Sequence, residues 1–288
     1  MPASTNTSDA GVAQLLGAVP RSLVIADIGA AFYGETPPYQ PLMDLGLARL
    51  FAVDADQRHT ERLRAQWGDA AELIVAAVGD GRQHTLYVCP EGSGMTSLLE
   101  PDTEALAFFN GFPKFGAVER TEPIATRRLD DLWDVPPIDF LKMDIQGAEL
   151  MVLRNGWSKL AQCVAIQTEV SFIPLYKGQP TFAAIDIEFR QHGFIPHRFH
   201  QVKPWSIAPT MRNNDPRQPF HQLLEGDIVY IRDIIHPAAL TSEQVAKLAL
   251  LAHYLFNSPD LAARCILNLQ ARGKFPGDTV ERYYSFVR

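Results

Sequence analysis

The chain has 288 residues, of which 47 % are hydrophobic and 20 % are charged, a composition that excludes a disordered or fibrous protein. Its net charge of −7 comes from 26 basic and 33 acidic residues, whereas a nucleic-acid-binding protein usually has a basic surplus. We therefore expect no nucleic-acid partner. The three widely spaced cysteines form neither a disulfide framework nor a zinc motif.

The first 20 residues have no positively charged start and no long apolar segment, so they do not resemble a secretory signal. The most apolar stretch, Leu248–Phe256, is shorter than the roughly 20 residues that a membrane span needs. We therefore expect a cytoplasmic protein with no membrane span.

Five short apolar runs predict buried parallel strands, because each is apolar on both faces and most are too short for a buried helix. They lie at residues 22–28, 50–53, 73–78, 139–145 and 163–170. Helical patterns at 56–67, 148–155 and 182–192 follow three of these runs. This alternation predicts an α/β fold in which helices cover both faces of the sheet.

Two regions interrupt the alternation. Residues 82–126 contain alternating segments with glycine and proline between them, which predicts a β-rich antiparallel insertion. Residues 225–232 predict a late strand at an antiparallel edge of the sheet. Thr241 and Gln244 then form a capping-box signature at the start of a predicted helical region. The predicted organisation is an N-terminal tail or helix (1–20), a main domain (21–235) and a C-terminal helical extension (236–288).

Acidic residues come at or near the ends of the five apolar runs. In chain order they are Asp27, Asp54, Asp80, Asp144 and Glu169. A single one could merely cap a helix, but ligands of open parallel sheets bind where the carboxyl ends of the strands meet. Their recurrence therefore predicts a binding crevice with an acidic rim.

The loop at residues 27–34 resembles a nucleotide-binding loop, although it is not G-x-G-x-x-G. Gly29 and Ala30 are small enough for a ligand to approach the backbone, and Asp54 can accept hydrogen bonds from ribose hydroxyls. Both NAD and S-adenosylmethionine fit such a ribose site. After Gly34, however, come Glu35 and two prolines, which are poor partners for a pyrophosphate. A sulfonium cation suits the acidic rim, which favours S-adenosylmethionine.

The segment DFLKMDIQGAELMVLRNG (139–156) resembles the K-x-D-x-(E/Q)-G-A-E signature of the FkbM-like S-adenosylmethionine-dependent methyltransferases. Supporting matches lie, in the family's order, at 24–30, 51–56, 76–88, 94–101, 127–133 and 168–194. The resemblance implies a Rossmann-like class I methyltransferase sheet, mostly parallel with one antiparallel strand. It also implies O-methylation of a hydroxyl on a sugar, a glycan or a glycosylated natural product.

The predicted cofactor contacts follow from the resemblance, with Gly34 added as part of the same loop. They are Asp27, Gly29, Ala30 and Gly34 for the methionine part, Asp54 for the ribose, Gly79 and Asp80 for the adenine, and Asp144 for the transferable methyl group.

A hydroxyl acceptor is a weak nucleophile and must lose its proton during the reaction. Asp144 and Glu169 are the candidate bases, and Lys142 either lowers the pKa of the base or pairs with one of the acids. Glu149 begins a predicted helix, where an acid complements the helix dipole, so we expect a structural role. We predict no metal, because two neighbouring carboxylates permit Mg²⁺ but the sequence locates no third ligand.

The expected partner is a carbohydrate or small-molecule acceptor with a hydroxyl group, whose pocket Tyr176, Lys177 and Gln179 are candidates to line. Whether the protein forms a homo-oligomer stays open. So do two alternative functions, an NAD-linked sugar oxidoreductase or epimerase and a non-catalytic module. The former needs a phosphate-binding glycine loop and a Tyr-x-x-x-Lys set, which we do not find in the sequence.

Overall fold

The computed structural model describes residues 7–16, 22–30, 36–55, 57–215 and 218–287. Its strands are β1 (Leu23–Ile28), β2 (Ala48–Asp54), β3 (Ala71–Val75), β4 (Ala77–Gly79), β5 (Gln83–Val88), β6 (Arg120–Arg128), β7 (Phe140–Met143), β8 (Ala165–Ser171), β9 (Phe194–Pro204) and β10 (Leu223–Arg232). Its helices are α1 (Thr7–Leu16), α2 (Gln40–Asp44), α3 (Gln57–Trp67), α4 (Thr103–Phe108), α5 (Phe112–Phe115), α6 (Glu149–Arg154), α7 (Phe182–Gln191), α8 (Ser242–Tyr254), α9 (Pro259–Ala271) and α10 (Thr279–Val287).

Seven strands form the central sheet in the order β3-β2-β1-β7-β8-β10-β9. All of them run in one direction except β10, which is antiparallel to both β8 and β9. The predicted α/β, Rossmann-like sheet with one antiparallel strand is confirmed. The expectation that residues 225–232 form an edge is wrong, because β9 pairs along the other side of β10 and takes the edge itself.

The apolar run at 73–78 is divided between two sheets, so the prediction of one buried strand is wrong. Residues up to Val75 belong to β3, the edge strand of the central sheet, and Val75 is 56 % exposed. The backbone N–H of Ala76 donates to the carbonyl of Asp54 (2.9 Å), and the chain then enters β4. An edge position leaves β3 without a neighbour on one side, which explains its exposure.

The insertion is built on a three-stranded sheet of order β4-β6-β5. Strands β5 and β6 pair antiparallel, as the alternating pattern predicts, whereas β4 and β6 pair parallel. Helices α4 and α5 lie between β5 and β6 in the chain and were not predicted. The carboxylate of Asp102 caps α4 by accepting from the N–H groups of Glu104 and Ala105.

Helices cover both faces of the central sheet, as an α/β fold requires. Side chains of α1, α8, α9 and α10 share one apolar core with β1, β7 and β10, and α6 and α7 contribute to a second core on the other face. The predicted capping box is present at α8, where Thr241 Oγ1 accepts from Gln244 N–H (3.1 Å) and Gln244 Oε1 accepts from Thr241 N–H (2.9 Å). The domain boundaries at residues 21 and 235 stay a prediction.

A buried ion pair fastens α8 to the amino ends of the central strands. Lys247 Nζ lies 2.8 Å from Asp139 Oδ1, and the other oxygen of Asp139 accepts from Val24 N–H (2.9 Å). The side chains of Lys247 and Asp139 are only 12 % and 4 % exposed. This arrangement joins the C-terminal helices to the strands that carry the site.

Candidate functional site

One face of the central sheet changes from apolar to polar along its strands. Strand pairing places Asp27 opposite Lys142, Lys142 opposite Gln167, and Glu169 opposite Asp227. Paired residues in neighbouring strands share a face, so these side chains form a polar band across β1, β7, β8 and β10. The band lies toward the carboxyl ends of the parallel strands, where the sequence predicts the crevice.

Asp27 is buried at the centre of this band and binds two donors. One oxygen accepts from Lys142 Nζ (3.1 Å) and the other from the hydroxyl of Tyr39 (2.8 Å). Burial opposes the charge of Lys142, but Asp27 and Asp144 outweigh it and raise the pKa of the lysine. Lys142 therefore stays protonated and pairs with an acid, which is the second of the two roles that the sequence left open. Each oxygen of Asp27 can accept a further hydrogen bond.

Gly29 brings the loop after β1 against the loop after β7. Its φ is +76°, and a Cβ on it would lie 1.9 Å from the carbonyl oxygen of Asp144. Ala30 is buried in the core. At Gly29 the carbonyl of Asp144 therefore occupies the space next to the backbone that the sequence analysis reserved for a ligand. The packing of these two loops, and not the approach of a ligand, requires the small residue there. Gly34 lies outside the described residues.

Asp54 ends β2 beside the carboxyl end of β1, as predicted, and is 8 % exposed. Gly79 and Asp80 instead belong to the insertion, because the chain leaves the central sheet at Ala76. The Asp80 carboxylate bonds His84 (2.7 Å) and the N–H of Arg82 (3.0 Å), and the bond to His84 lowers its pKa. The prediction of five acids on one sheet edge is thus wrong for Asp80.

Asp144, Glu149 and Glu169 form a compact group, here called the acidic cluster. One carboxylate oxygen from each lies within 4.8 Å of the others. Glu149 is buried, and its Oε1 accepts from the N–H groups of Ile145 (3.0 Å) and Gly147 (3.2 Å). Glu149 therefore folds back over its own loop and completes the cluster, beyond the helix-dipole role expected from the sequence. The signal available was its place in the 139–156 segment, five residues after Asp144.

Glu169 has the most unusual environment of the cluster. It is 5 % exposed and lies beside two other carboxylates, while the charge of Lys203 partly offsets theirs. Burial first, and then the charge of Asp144, raise its pKa well above the ordinary value. Burial likewise raises the pKa of Glu149 to about 7, although its backbone donors oppose the shift. The cluster can therefore hold a proton near neutral pH.

The spacing of the acidic cluster would also admit a divalent cation. However, Glu149 Oε1 already accepts two N–H groups, and Asp144 Oδ1 accepts from Gln146 Nε2 (2.8 Å). Glu149 supplies the third ligand that the sequence did not locate, so the expected absence of a metal stays a prediction.

The three candidates for the acceptor pocket have different environments. Tyr176 is buried, and its hydroxyl lies 3.2 Å from Gln146 Oε1, beside the acidic cluster. Lys177 pairs with Glu100 (2.7 Å) at the surface, and Gln179 accepts from the N–H of Leu175 within its own loop. Tyr176 therefore contacts the turn beside the cluster through Gln146, and Gln179 packs against Gly147 in the same turn.

The strand order and the single antiparallel strand define a Rossmann-like α/β fold with a polar band at its strand ends. The model of the methyltransferase FkbM domain matches residues 27–196. The protein belongs to this FkbM methyltransferase family, and its cofactor is S-adenosyl-L-methionine. The matched region includes Asp27, Asp144 and Glu169.

A curated relative, 2-O-methyltransferase NoeI of Sinorhizobium fredii (strain NBRC 101917 / NGR234), is 32 % identical over 173 residues, which are 57 % of this chain and 70 % of that protein. A precorrin-6y C5,15-methyltransferase from Geobacter metallireducens GS-15 has a TM-score of 0.36 at 13 % identity, covering 80 % of this chain and 92 % of that one. A SAM-dependent O-methyltransferase from Thermotoga maritima has a TM-score of 0.34 at 12 % identity, covering 81 % and 67 %. These structural scores are low, and the family assignment does not depend on them. No helix within the described ranges is long and apolar enough to cross a membrane.

Proposed function

We propose that this methyltransferase transfers a methyl group to a hydroxyl of a sugar, a glycan or a glycosylated natural product. The observation that carries the proposal is the buried side chain of Glu169, whose carboxylate lies beside Asp144, because a carboxylate with a raised pKa is suited to receive a hydroxyl proton. The similarity to a 2-O-methyltransferase supports a hydroxyl as the acceptor.

The polar band fits the cofactor by its chemistry. Its acids suit a sulfonium and an ammonium group, and Asp54 suits ribose hydroxyls. We place Asp27, Gly29, Ala30 and Gly34 at the methionine part, Asp54 at the ribose, Gly79 and Asp80 at the adenine, and Asp144 beside the transferable methyl group. When bound, S-adenosylmethionine supplies an electrophilic methyl group on a positively charged sulfur.

The side chains of the polar band and the acidic cluster have different roles in the proposed reaction. Glu169 would take the proton from the acceptor hydroxyl while the hydroxyl oxygen bonds to the methyl carbon, the bond from that carbon to sulfur breaks, and S-adenosylhomocysteine leaves. Asp144 would face the positive charge of the cofactor, and Lys142 holds Asp27 in place through their ion pair. Alignment of the two reactants by such groups can lower the barrier by roughly 7–11 kcal/mol.

Two measurements test this function. Calorimetry with S-adenosylhomocysteine and with NAD, titrated separately, is expected to give heat with the first alone; heat with NAD alone would overturn the proposal. Incubation of glycans and glycosylated lipids with S-adenosylmethionine is then expected to add the mass of one CH₂ group per site, seen by mass spectrometry. Binding of S-adenosylhomocysteine with methylation only of nitrogen or carbon would reject a hydroxyl acceptor.

Replacement of Asp54 by alanine is expected to weaken S-adenosylhomocysteine binding by ~1–3 kcal/mol, because the ribose loses charge-assisted hydrogen bonds. Calorimetry measures the change. Asp69→Ala is the matched control, since Asp69 is exposed before β3 at the other end of the sheet. Equal affinities of the two variants would remove the ribose assignment.

A further inference from the structure

The turn between β7 and α6 contains a strained residue. Gln146 has a φ of +55°, in the left-handed region that residues other than glycine and asparagine rarely adopt. The other non-glycine residues with positive φ among those described are asparagines, at 213, 214 and 257. Such strain persists only where surrounding contacts impose it, and it concentrates at functional sites.

Three contacts hold Gln146 in this conformation. Its backbone carbonyl accepts from Ser97 Oγ (2.6 Å), its side-chain Nε2 donates to Asp144 Oδ1 (2.8 Å), and its Oε1 lies 3.2 Å from the hydroxyl of Tyr176. Ser97 comes from the insertion and Tyr176 from the loop after β8, and both are at most 3 % exposed. Two separate loops therefore fix a residue whose side chain ends on Asp144.

The hydroxyl of Tyr176 supports the observed orientation of the Gln146 amide. It lies 3.2 Å from Gln146 Oε1 and 3.2 Å from the carbonyl oxygen of Met95, and burial raises the pKa of Tyr176, so the hydroxyl keeps its proton. A proton shared between these two acceptors is compatible with the amide orientation in which Nε2 donates to the Asp144 carboxylate. The reversed amide would set its carbonyl oxygen against the carboxylate, which is repulsive.

We propose that Gln146 is a positioning residue that aims the Asp144 carboxylate at the positive charge of the cofactor, with Tyr176 supporting the orientation of its amide. The proposal rests on the proposed function, which places Asp144 beside the transferable methyl group. The strained turn and the two loops that hold it would then serve to orient one carboxylate, that of Asp144.

A comparison of two ligands tests the proposal without a known acceptor. S-adenosylmethionine is a sulfonium cation, whereas S-adenosylhomocysteine has a neutral sulfur, so the ratio of their affinities reports the negative charge beside the sulfur. Gln146→Gly removes the side chain and relieves the backbone, so the fold is retained. We expect this variant to lower the preference for the cation by about tenfold, toward the value of Asp144→Asn, while its melting temperature stays the same or rises. Tyr176→Phe is expected to lower the preference less.

The matched control is Asn213→Gly, which relieves positive φ in an exposed loop and makes no contact with Asp144. Its ligand preference should equal that of the wild type. If Asp144→Asn loses the preference while Gln146→Gly and Tyr176→Phe both keep it, the positioning role is wrong. If the wild type binds neither ligand, the proposed function itself fails, which is a different result.

Discussion

Replacement of Glu169 by glutamine is expected to lower kcat for methyl transfer by about 10²–10⁴-fold, because the acceptor hydroxyl loses the group that takes its proton. The same change is expected to stabilise the protein above neutral pH. Glu169 is buried and lies beside two other carboxylates. Glutamine has the same shape and carries no charge.

The sign of the pH effect follows from the raised pKa of Glu169 in the folded state. The unfolded chain releases this proton near the ordinary value of 4.5, whereas the folded protein retains it to higher pH. Stability contributed by the protonated group is therefore present below pH 4.5 and is lost as pH rises through the folded pKa. Glu169→Gln should escape this loss.

Urea unfolding at pH 5 and pH 8 measures the stability effect, and the mass-spectrometric assay with an identified acceptor measures turnover. Glu104→Gln is the control, since Glu104 is an exposed glutamate on α4 and should change neither quantity. Full turnover by Glu169→Gln would show that another group takes the proton. A variant less stable than the wild type at pH 8 would contradict the described environment of the carboxylate.

Replacement of Lys247 by methionine is expected to destabilise the protein by ~3–5 kcal/mol, because it leaves the buried Asp139 carboxylate without its cation. Burial opposes the charge of Lys247, but its bonds to Asp139 and Glu243 outweigh it and raise the pKa of the lysine. Lys247 therefore stays charged at neutral pH. Methionine keeps most of the apolar stem, so the loss reports the charge.

The free energy of unfolding in urea measures this change. Glu243→Gln is the control, since Glu243 also contacts Lys247 but is 47 % exposed, and surface pairs contribute at most about 1 kcal/mol. Adding Asp139→Asn to Lys247→Met should recover part of the loss, because the buried charge is then removed. A loss below about 1 kcal/mol in Lys247→Met would mean that water reaches Asp139.

The features of the fold that the sequence predicts are the local ones. The run at 22–28 indicates β1 almost to the residue, and the capping box of Thr241 and Gln244 marks the start of α8. Strand β9 was not predicted because Pro196 and a series of exposed polar residues interrupt its pattern, and its stability comes from pairing with β10. That pairing depends on residues distant in the chain, as does the division of the run at 73–78.

Prediction of the site from the sequence is limited in the same way to local features. Asp27, Asp144 and Glu169 could be found because acids recur where apolar runs end. Nothing local indicates that Lys142 pairs with Asp27, which is 115 residues earlier in the chain. Glu149 begins α6, as expected, but nothing local shows that Gly147 lets the loop turn so that the carboxylate reaches its own backbone.

The change from apolar to polar along one face of the sheet has a consequence for mutational tolerance. On β1 the side chain of Ile25 lies in the core and that of Asp27 lies in the polar band, only two positions further along, and β7 repeats this with Phe140 and Lys142. Saturation mutagenesis should therefore show a sharp boundary across neighbouring strands between positions that affect folding and positions that affect activity. Substitutions before it would reduce the yield of folded protein, while substitutions beyond it would alter turnover or acceptor choice in a chain that still folds.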